Sequence, residues 1–238
     1  MIPARYNSEE IVCKTLADNG GKPMIQHVHD RVSKATGVSK VVVACDHEKI
    51  KETVERFGGR AILTGKHICG TDRIVEAYAK LGERFDVVVD VQADEPFIEP
   101  RMIDEVTGPL LKDPAIPMAT ICCEFSSEAD WQYPFNVKVV KDIDGFALYF
   151  TRSPVPYPRK KEGARFFQHV GIYAWQGWFL ETYPGTPSPL ELAESLEQLR
   201  VLEHGYKIKV VETNTNYKKI AVNTPEDLEK ARQMLETR

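Results

Sequence analysis

Two uninterrupted apolar runs constrain this chain more than any other feature. Residues 38–46 (VSKVVVACD) and 85–92 (FDVVVDVQ) have the length of strands and little polar alternation. That is the pattern of strands covered on both faces. Helical patterns surround them. Residues 22–37 place Met24, Ile25, Val28, Val32 and Ala35 on one stripe. A polar helix over 47–57 ends at Gly58-Gly59, a short strand follows at 61–64, and a further helix covers 71–81. This βαβ rhythm predicts a parallel sheet with helices on both sides.

The second half changes character. Residues 118–125, 136–141, 146–152 and 167–175 read as strands. The second and third are joined by Asp142-Ile143-Asp144-Gly145, with Gly where a turn needs positive φ. One strong helix is expected over 189–204, stopped by Gly205. Short strands follow at 206–212 and 219–222. Thr224-Pro225-Glu226-Asp227 then opens a last helix, with Thr as N-cap and Pro at its first position. The expectation is one α/β domain over 1–238, a mixed sheet with an inserted β-rich layer at about 118–190.

Composition narrows the function classes. A chain of 238 residues with 42% hydrophobic content can bury one sizeable core. Its net charge of −4, with both signs interspersed, offers no basic face, so no nucleic-acid partner is expected. No apolar run approaches the roughly 20 residues of a membrane span, and no leader pattern is visible. No membrane partner is expected either. Five cysteines without metal spacing read as reduced thiols of a cytoplasmic protein.

Several residues are placed where chemistry happens. Asp94 follows the carboxyl end of a buried strand, the edge at which open α/β sheets bind ligands. It fits Mg²⁺ bound to a triphosphate, or simply an acidic turn before Pro96. Gly20-Gly21-Lys22-Pro23 precedes a helix and suits either a phosphate or an ordinary loop-to-helix transition. Neither a P-loop nor a G-x-G-x-x-G pattern is present, which counts against a P-loop kinase or a dinucleotide enzyme. Arg5 and Lys14 flank the same opening region. His169 and Tyr173 are four residues apart on a strand and share a face. Glu197 and Gln198 fall on a helix and suit sugar hydroxyls, or a helix surface.

A set of strings carries a more specific signal. In order they are Ile2-Pro3-Ala4-Arg5-Tyr6, Gly20 to Ile25 (GGKPMI), Gly70-Thr71-Asp72-Arg73 and Asp94-Glu95-Pro96. Next come Val137-Lys138-Val139-Val140, 147–153 (ALYFTRS) and His169-Val170-Gly171-Ile172-Tyr173. Last are 187–191 (PSPLE), 196–200 (LEQLR) and 224–228 (TPEDL). Over nearly its whole length the chain resembles the 3-deoxy-manno-octulosonate cytidylyltransferase (CMP-Kdo synthetase) family.

The resemblance implies a Rossmann-like nucleotidyltransferase fold, that of nucleotide-diphospho-sugar transferases. It also implies a cytoplasmic homodimer whose β-rich portion binds the sugar and forms the dimer. The implied substrates are CTP and 3-deoxy-manno-octulosonate (Kdo), with Mg²⁺ as cofactor. The products are pyrophosphate and CMP-Kdo, the latter for lipopolysaccharide assembly. The sugar's anomeric hydroxyl would attack the α-phosphate, with positioning and charge neutralisation supplying most of the catalysis. Asp94, Lys14 and Arg5 are the implied catalytic residues. Arg5, Lys14, Lys22, Gly70, Thr71, Arg73 and Gln92 would lie along the nucleotide, and Asp94 and Asn223 at the metal. Arg152, His169, Tyr173, Glu197 and Gln198 would recognise the sugar acid, Arg152 through its carboxylate.

The chain also departs from the family pattern. The apolar strand before I-P-A-R is absent, since Met1 directly precedes Ile2. Glu10 stands at an arginine position, Cys13 at a glycine position, Cys69 at a serine position and Asn223 at an aspartate position. Three readings stay open on these grounds. They are a working or weakened CMP-Kdo synthetase, a non-catalytic homologue keeping the fold and dimer surface, and a sister cytidylyltransferase for another sugar acid.

Overall fold

A computed structural model describes residues 1–6, 13–18, 20–160, 162–215, 229 and 232–234. The strand at 219–222, the start of the last helix, Glu10 and Asn223 lie outside the described residues. The chain forms two compact units, one of 1–85, 89–104 and 215–238, the other of 86–88 and 105–214.

The first unit follows the βαβ rhythm. Its elements are β1 (Ile2–Ala4), α1 (Met24–Val32), β2 (Val42–Cys45), α2 (Glu48–Arg56), β3 (Arg60–Leu63) and α3 (Gly70–Leu81). β4 (Val87–Val91) and α4 (Pro100–Lys112) come next in the chain, and the division between units falls within them. β1, β2 and β3 are parallel neighbours, with Ile2 opposite Val43 and Val43 opposite Ala61. All four residues of β2 are buried, as an apolar run without alternation requires. The α1 stripe is buried as well, from Met24 through Ala35. Burying each large aliphatic side chain contributes about 1.5–3 kcal/mol. Gly82, at φ 69°, ends α3 in the left-handed conformation that Gly adopts at least cost.

The chain's first residues do supply a strand to this sheet. Ile2, Pro3 and Ala4 are themselves a strand, fully buried and in parallel register with β2. On its other side Met1 N donates to Val89 O (2.5 Å), and Val91 N donates to Met1 O (3.1 Å). Residues 1–4 thus lie between β2 and the 89–91 segment.

The second unit holds β5 (Met118–Glu124), α5 (Glu128–Gln132), β6 (Lys138–Lys141), β7 (Ala147–Thr151) and β8 (Phe167–Gln176). These are followed by α6 (Gly177–Glu181), α7 (Pro189–Glu194), α8 (Gln198–Glu203) and β9 (Ile208–Glu212). The strand order is β7-β6-β8-β5-β9. β5 and β9 run parallel, the other neighbours antiparallel, so the sheet is mixed as expected. Gly145 has φ 76° and closes the β6–β7 turn.

The single helix expected over 189–204 is two helices. α7 opens with a capping box formed by Ser188 and Glu191, and it stops where Ser195 turns left-handed at φ 52°. Tertiary contacts override the helical pattern at that point. Arg152 Nε donates to Glu194 O at 2.8 Å, and its backbone N donates to the Glu194 carboxylate at 2.9 Å. The break lets Arg200 fold back onto Glu191. Its Nε and Nη2 donate to the two carboxylate oxygens at 2.7 and 2.6 Å. In one straight helix, residues nine apart would be about 13.5 Å apart along the axis.

Candidate active site

The first unit gathers one cluster at the carboxyl ends of β1 and β4. A single 3-10 turn at Lys14–Leu16 carries Lys14, whose Nζ lies 2.8 Å from Asp94 Oδ2. The ammonium is mostly covered and the carboxylate less so, with side-chain exposures of 13% and 29%. Arg5, next to this turn, has an exposed side chain, and its carbonyl accepts from Thr15 Oγ1 at 3.3 Å. Gln92 lies two residues before Asp94, and its amide donates to Asp90 at 3.0 Å. Gly70 begins α3 against this edge. A Cβ there would stand 3.3 Å from Gln92 Nε2 and 3.4 Å from Pro3 Cγ, so α3 starts in close contact with this edge and a side chain would press on Gln92 by a few tenths of an ångström. Among the described residues no three His, Cys, Asp or Glu side chains form a preformed metal cluster. Mg²⁺ on a triphosphate does not need one, because phosphate oxygens and water complete its shell around one or two carboxylates. Asp94 suits that role.

Other nucleotide-side residues are placed differently. Thr71 is fully buried in the first turn of α3. Lys22 pairs with Asp30 at 2.9 Å on the surface. Arg73 is buried and braces the loops. It donates to Thr64 Oγ1 at 2.7 Å and to Asp46 Oδ2 at 3.0 Å, while Asp46 Oδ1 accepts from Tyr6 N at 2.9 Å. Arg73 therefore fixes the backbone beside Arg5 through Asp46.

Two of the departures fall on special backbone positions. Cys13 has φ 58°, the left-handed region that explains why glycine belongs there. Cys69 is the N-cap of α3, in the extended conformation of a capping residue, and its side chain makes no cap bond.

The second unit holds the residues expected to recognise the sugar acid. His169 and Tyr173 share a face of β8 although the β5 register breaks between them, and their rings lie 5.5 Å apart. Two residues are left over at the break, so the alternation of faces survives. Tyr173 OH donates to Gln198 Oε1 at 3.1 Å, and the buried Gln198 Nε2 has no hydrogen-bond partner among the described residues. A buried amide left with donors to spend suits a hydroxylated ligand. Glu197 is the N-cap residue of α8, half-buried beside Gln198. Arg152 bonds to other groups than the His169 cluster. Its guanidinium bonds Glu194 O at 2.8 Å and approaches the carbonyls of Pro134 and Ser195 at 3.4 Å.

Three residues escaped the sequence reading. Lys138 is fully buried, and its ammonium donates to Tyr133 O (2.7 Å) and Arg152 O (2.9 Å). Burial first, then the nearby Arg152 charge, lowers its pKa. A cation interrupting an apolar strand (V-K-V-V) was the available signal. Glu194 holds both Thr151 Oγ1 and Arg152 N. Thr120, in the middle of β5, contacts His169 Nε2 at 2.9 Å.

Comparison with known proteins places the whole chain. The cytidylyltransferase family model matches residues 1–212. A 3-deoxy-manno-octulosonate cytidylyltransferase of Geotalea uraniireducens is 48% identical, covering 99% of this chain and 97% of that protein. One of Escherichia coli is 44% identical over 99% and 94%. A solved structure of CMP:2-keto-3-deoxy-manno-octonic acid synthetase complexed with CTP superposes with a TM-score of 0.92 at 44% identity, covering 99% and 97%. A 4-diphosphocytidyl-2C-methyl-D-erythritol synthase from Anaerococcus prevotii, 15% identical with a TM-score of 0.64, shares the fold. With full-length identity of this order and a family model matching residues 1–212, the chain belongs to the 3-deoxy-manno-octulosonate cytidylyltransferase family.

Proposed function

We propose that this protein transfers CMP from CTP to Kdo, releasing pyrophosphate and forming CMP-Kdo. The observation that carries the reading is the full-length likeness to the CTP-bound synthetase, 44% identical with a TM-score of 0.92. The phosphate-side cluster supports a division of labour. Lys14 and Arg5 would hold the triphosphate by charge-assisted contacts. Asp94 would hold Mg²⁺, which when bound neutralises phosphate charge. Gly70 and Gln92 would let the backbone come close to the nucleotide, and Arg73 would act indirectly, through Asp46 and the Tyr6 amide. His169, Tyr173, Gln198 and Glu197 would meet the hydroxyls of Kdo. Arg152, held half-buried among carbonyls, would face its carboxylate.

A homodimer formed through the β-rich portion at about 118–190 is part of the same reading. Exposed Tyr133, Phe135, Leu148 and Tyr157 in that portion supply apolar surface for it. A cytoplasmic location agrees with five cysteines of which none is in a disulfide. No helix of the described residues is long and apolar enough to cross a membrane. The product would serve lipopolysaccharide assembly.

The test is pyrophosphate release by the full chain with each component omitted in turn. Release should require CTP, Kdo and Mg²⁺ together. Release with another sugar acid but not with Kdo would favour a sister cytidylyltransferase, and none with any sugar acid a non-catalytic homologue.

A further inference from the structure

The hydroxyl of Thr120 has one hydrogen to give, and its surroundings decide where that hydrogen goes. Thr120 stands on β5 where the register with β8 breaks. It pairs with Tyr173, while the next residue, Ile121, pairs with Val170. Gly171 and Ile172 are left over on β8, as in a bulge. Thr120 Oγ1 lies 2.8 Å from Ile172 O, 3.4 Å from Val170 O and 2.9 Å from His169 Nε2. A carbonyl only accepts, so the 2.8 Å approach of two oxygens requires the hydroxyl hydrogen between them. The lone pairs of Oγ1 then face His169, and Nε2 has to be the donor. In a neutral imidazole this leaves Nδ1 as the acceptor nitrogen. Thr120 is fully buried, so water does not compete for these bonds.

We propose that Thr120 is a positioning residue that fixes His169 in the Nε2–H tautomer, so that Nδ1 accepts from a hydroxyl of the sugar acid. The proposal rests on the Kdo-binding reading of His169 given above. It pairs an acceptor on His169 with the donor amide of Gln198, the complement that a hydroxylated ligand needs, since each hydroxyl both gives and takes a hydrogen bond.

The test is ¹⁵N NMR of the histidine-labelled full chain, with the His169 signals assigned by His169→Gln. The proton is expected on Nε2. Thr120→Val removes the acceptor and should raise KM for Kdo about tenfold, the equivalent of 1.4 kcal/mol, while leaving KM for CTP nearly unchanged. Thr120→Ser keeps the hydroxyl and should retain both the tautomer and the Kdo KM. A proton on Nδ1 in the unmodified chain overturns the proposal even if turnover is normal. So does an unchanged Kdo KM in Thr120→Val. Should Thr120→Val not fold, the spectra of the unmodified chain and of Thr120→Ser decide: Nε2–H in both supports the proposal, and Nδ1–H in either overturns it. An Nε2–H spectrum in a chain that shows no Kdo-dependent pyrophosphate release sinks the catalytic reading, and with it the sugar half of the proposal.

Discussion

Lys14 Nζ and Asp94 Oδ2 are 2.8 Å apart, a cation and an anion 80 residues apart in sequence neutralising each other. A Mg²⁺–triphosphate would give both better partners, phosphate oxygens for the ammonium and a divalent ion for the carboxylate. Asp94→Asn should abolish Mg²⁺-dependent turnover and leave the melting temperature close to that of the parent. Lys14→Met should raise KM for CTP about ten- to hundredfold, the worth of one charged hydrogen bond, and leave KM for Kdo nearly unchanged. Near-normal activity in Asp94→Asn would mean that the metal is held elsewhere.

The backbone at Cys13 is strained by its side chain. A non-glycine residue in the left-handed region costs about 1–2 kcal/mol, and glycine returns roughly 0.5 kcal/mol of that through a freer unfolded chain. Cys13→Gly should therefore raise the urea midpoint by a small, measurable amount. A lower midpoint would show that the side chain contributes more by contact than it costs in strain.

Cys69 occupies an N-cap with the right backbone and the wrong side chain. Cys69→Ser should place a hydroxyl on the second or third helical N–H of α3 and stabilise the fold by about 1 kcal/mol. Equilibrium unfolding checks this, and a destabilised variant would contradict it.

Glu191 and Arg200 are a buried bidentate pair, with side-chain exposures of 8% and 0%. Removing one partner leaves the other charge buried without this counter-ion, beside neutral groups such as the Ser188 amide at Glu191 and the Pro184 carbonyl at Arg200. Glu191→Gln or Arg200→Met should each cost about 3–5 kcal/mol, and the double variant much less than the sum. Additive losses in a double-mutant cycle would show that the two side chains do not act on each other.

Glu76 gives the fold a pH dependence. Its carboxyl is held down to about 2, first by the hydrogen bond from Lys80, against an ordinary value of 4.5. His67 and the Gly65 amide also contact it. A depressed folded-state value means the stabilisation is complete above the unfolded value and is lost as pH falls through the folded one. Melting temperature should therefore fall between about pH 4.5 and 2, and Glu76→Gln should flatten that fall. An identical acid profile in the variant would remove Glu76 from the account.

Much of this could be read from residue order because local pattern and tertiary environment agree. β2 is apolar throughout and buried throughout, and the α1 stripe faces the core. Where the two disagree, the reading failed. α4 was not foreseen, because Gly108-Pro109 stands inside it and reads as a break. The 189–204 helix was read as continuous because its pattern is helical, whereas Arg152 and the Glu191–Arg200 pair impose a turn at Ser195. Motif order picked out Asp94 with Lys14, and His169 and Tyr173 with Gln198, which the structure brings into contact. Lys138 reaches Arg152, Glu194 reaches Arg152 N and Thr120 reaches His169 and Ile172 across 14 to 52 residues of sequence, which no local pattern carries.

The most direct measurement is the rate of pyrophosphate release by the unmodified full chain with CTP, Kdo and Mg²⁺, beside Asp94→Asn under the same conditions. The account predicts release by the parent that requires all three components, and none above background by the variant. A parent that releases no pyrophosphate, or a variant that matches it, would contradict the account.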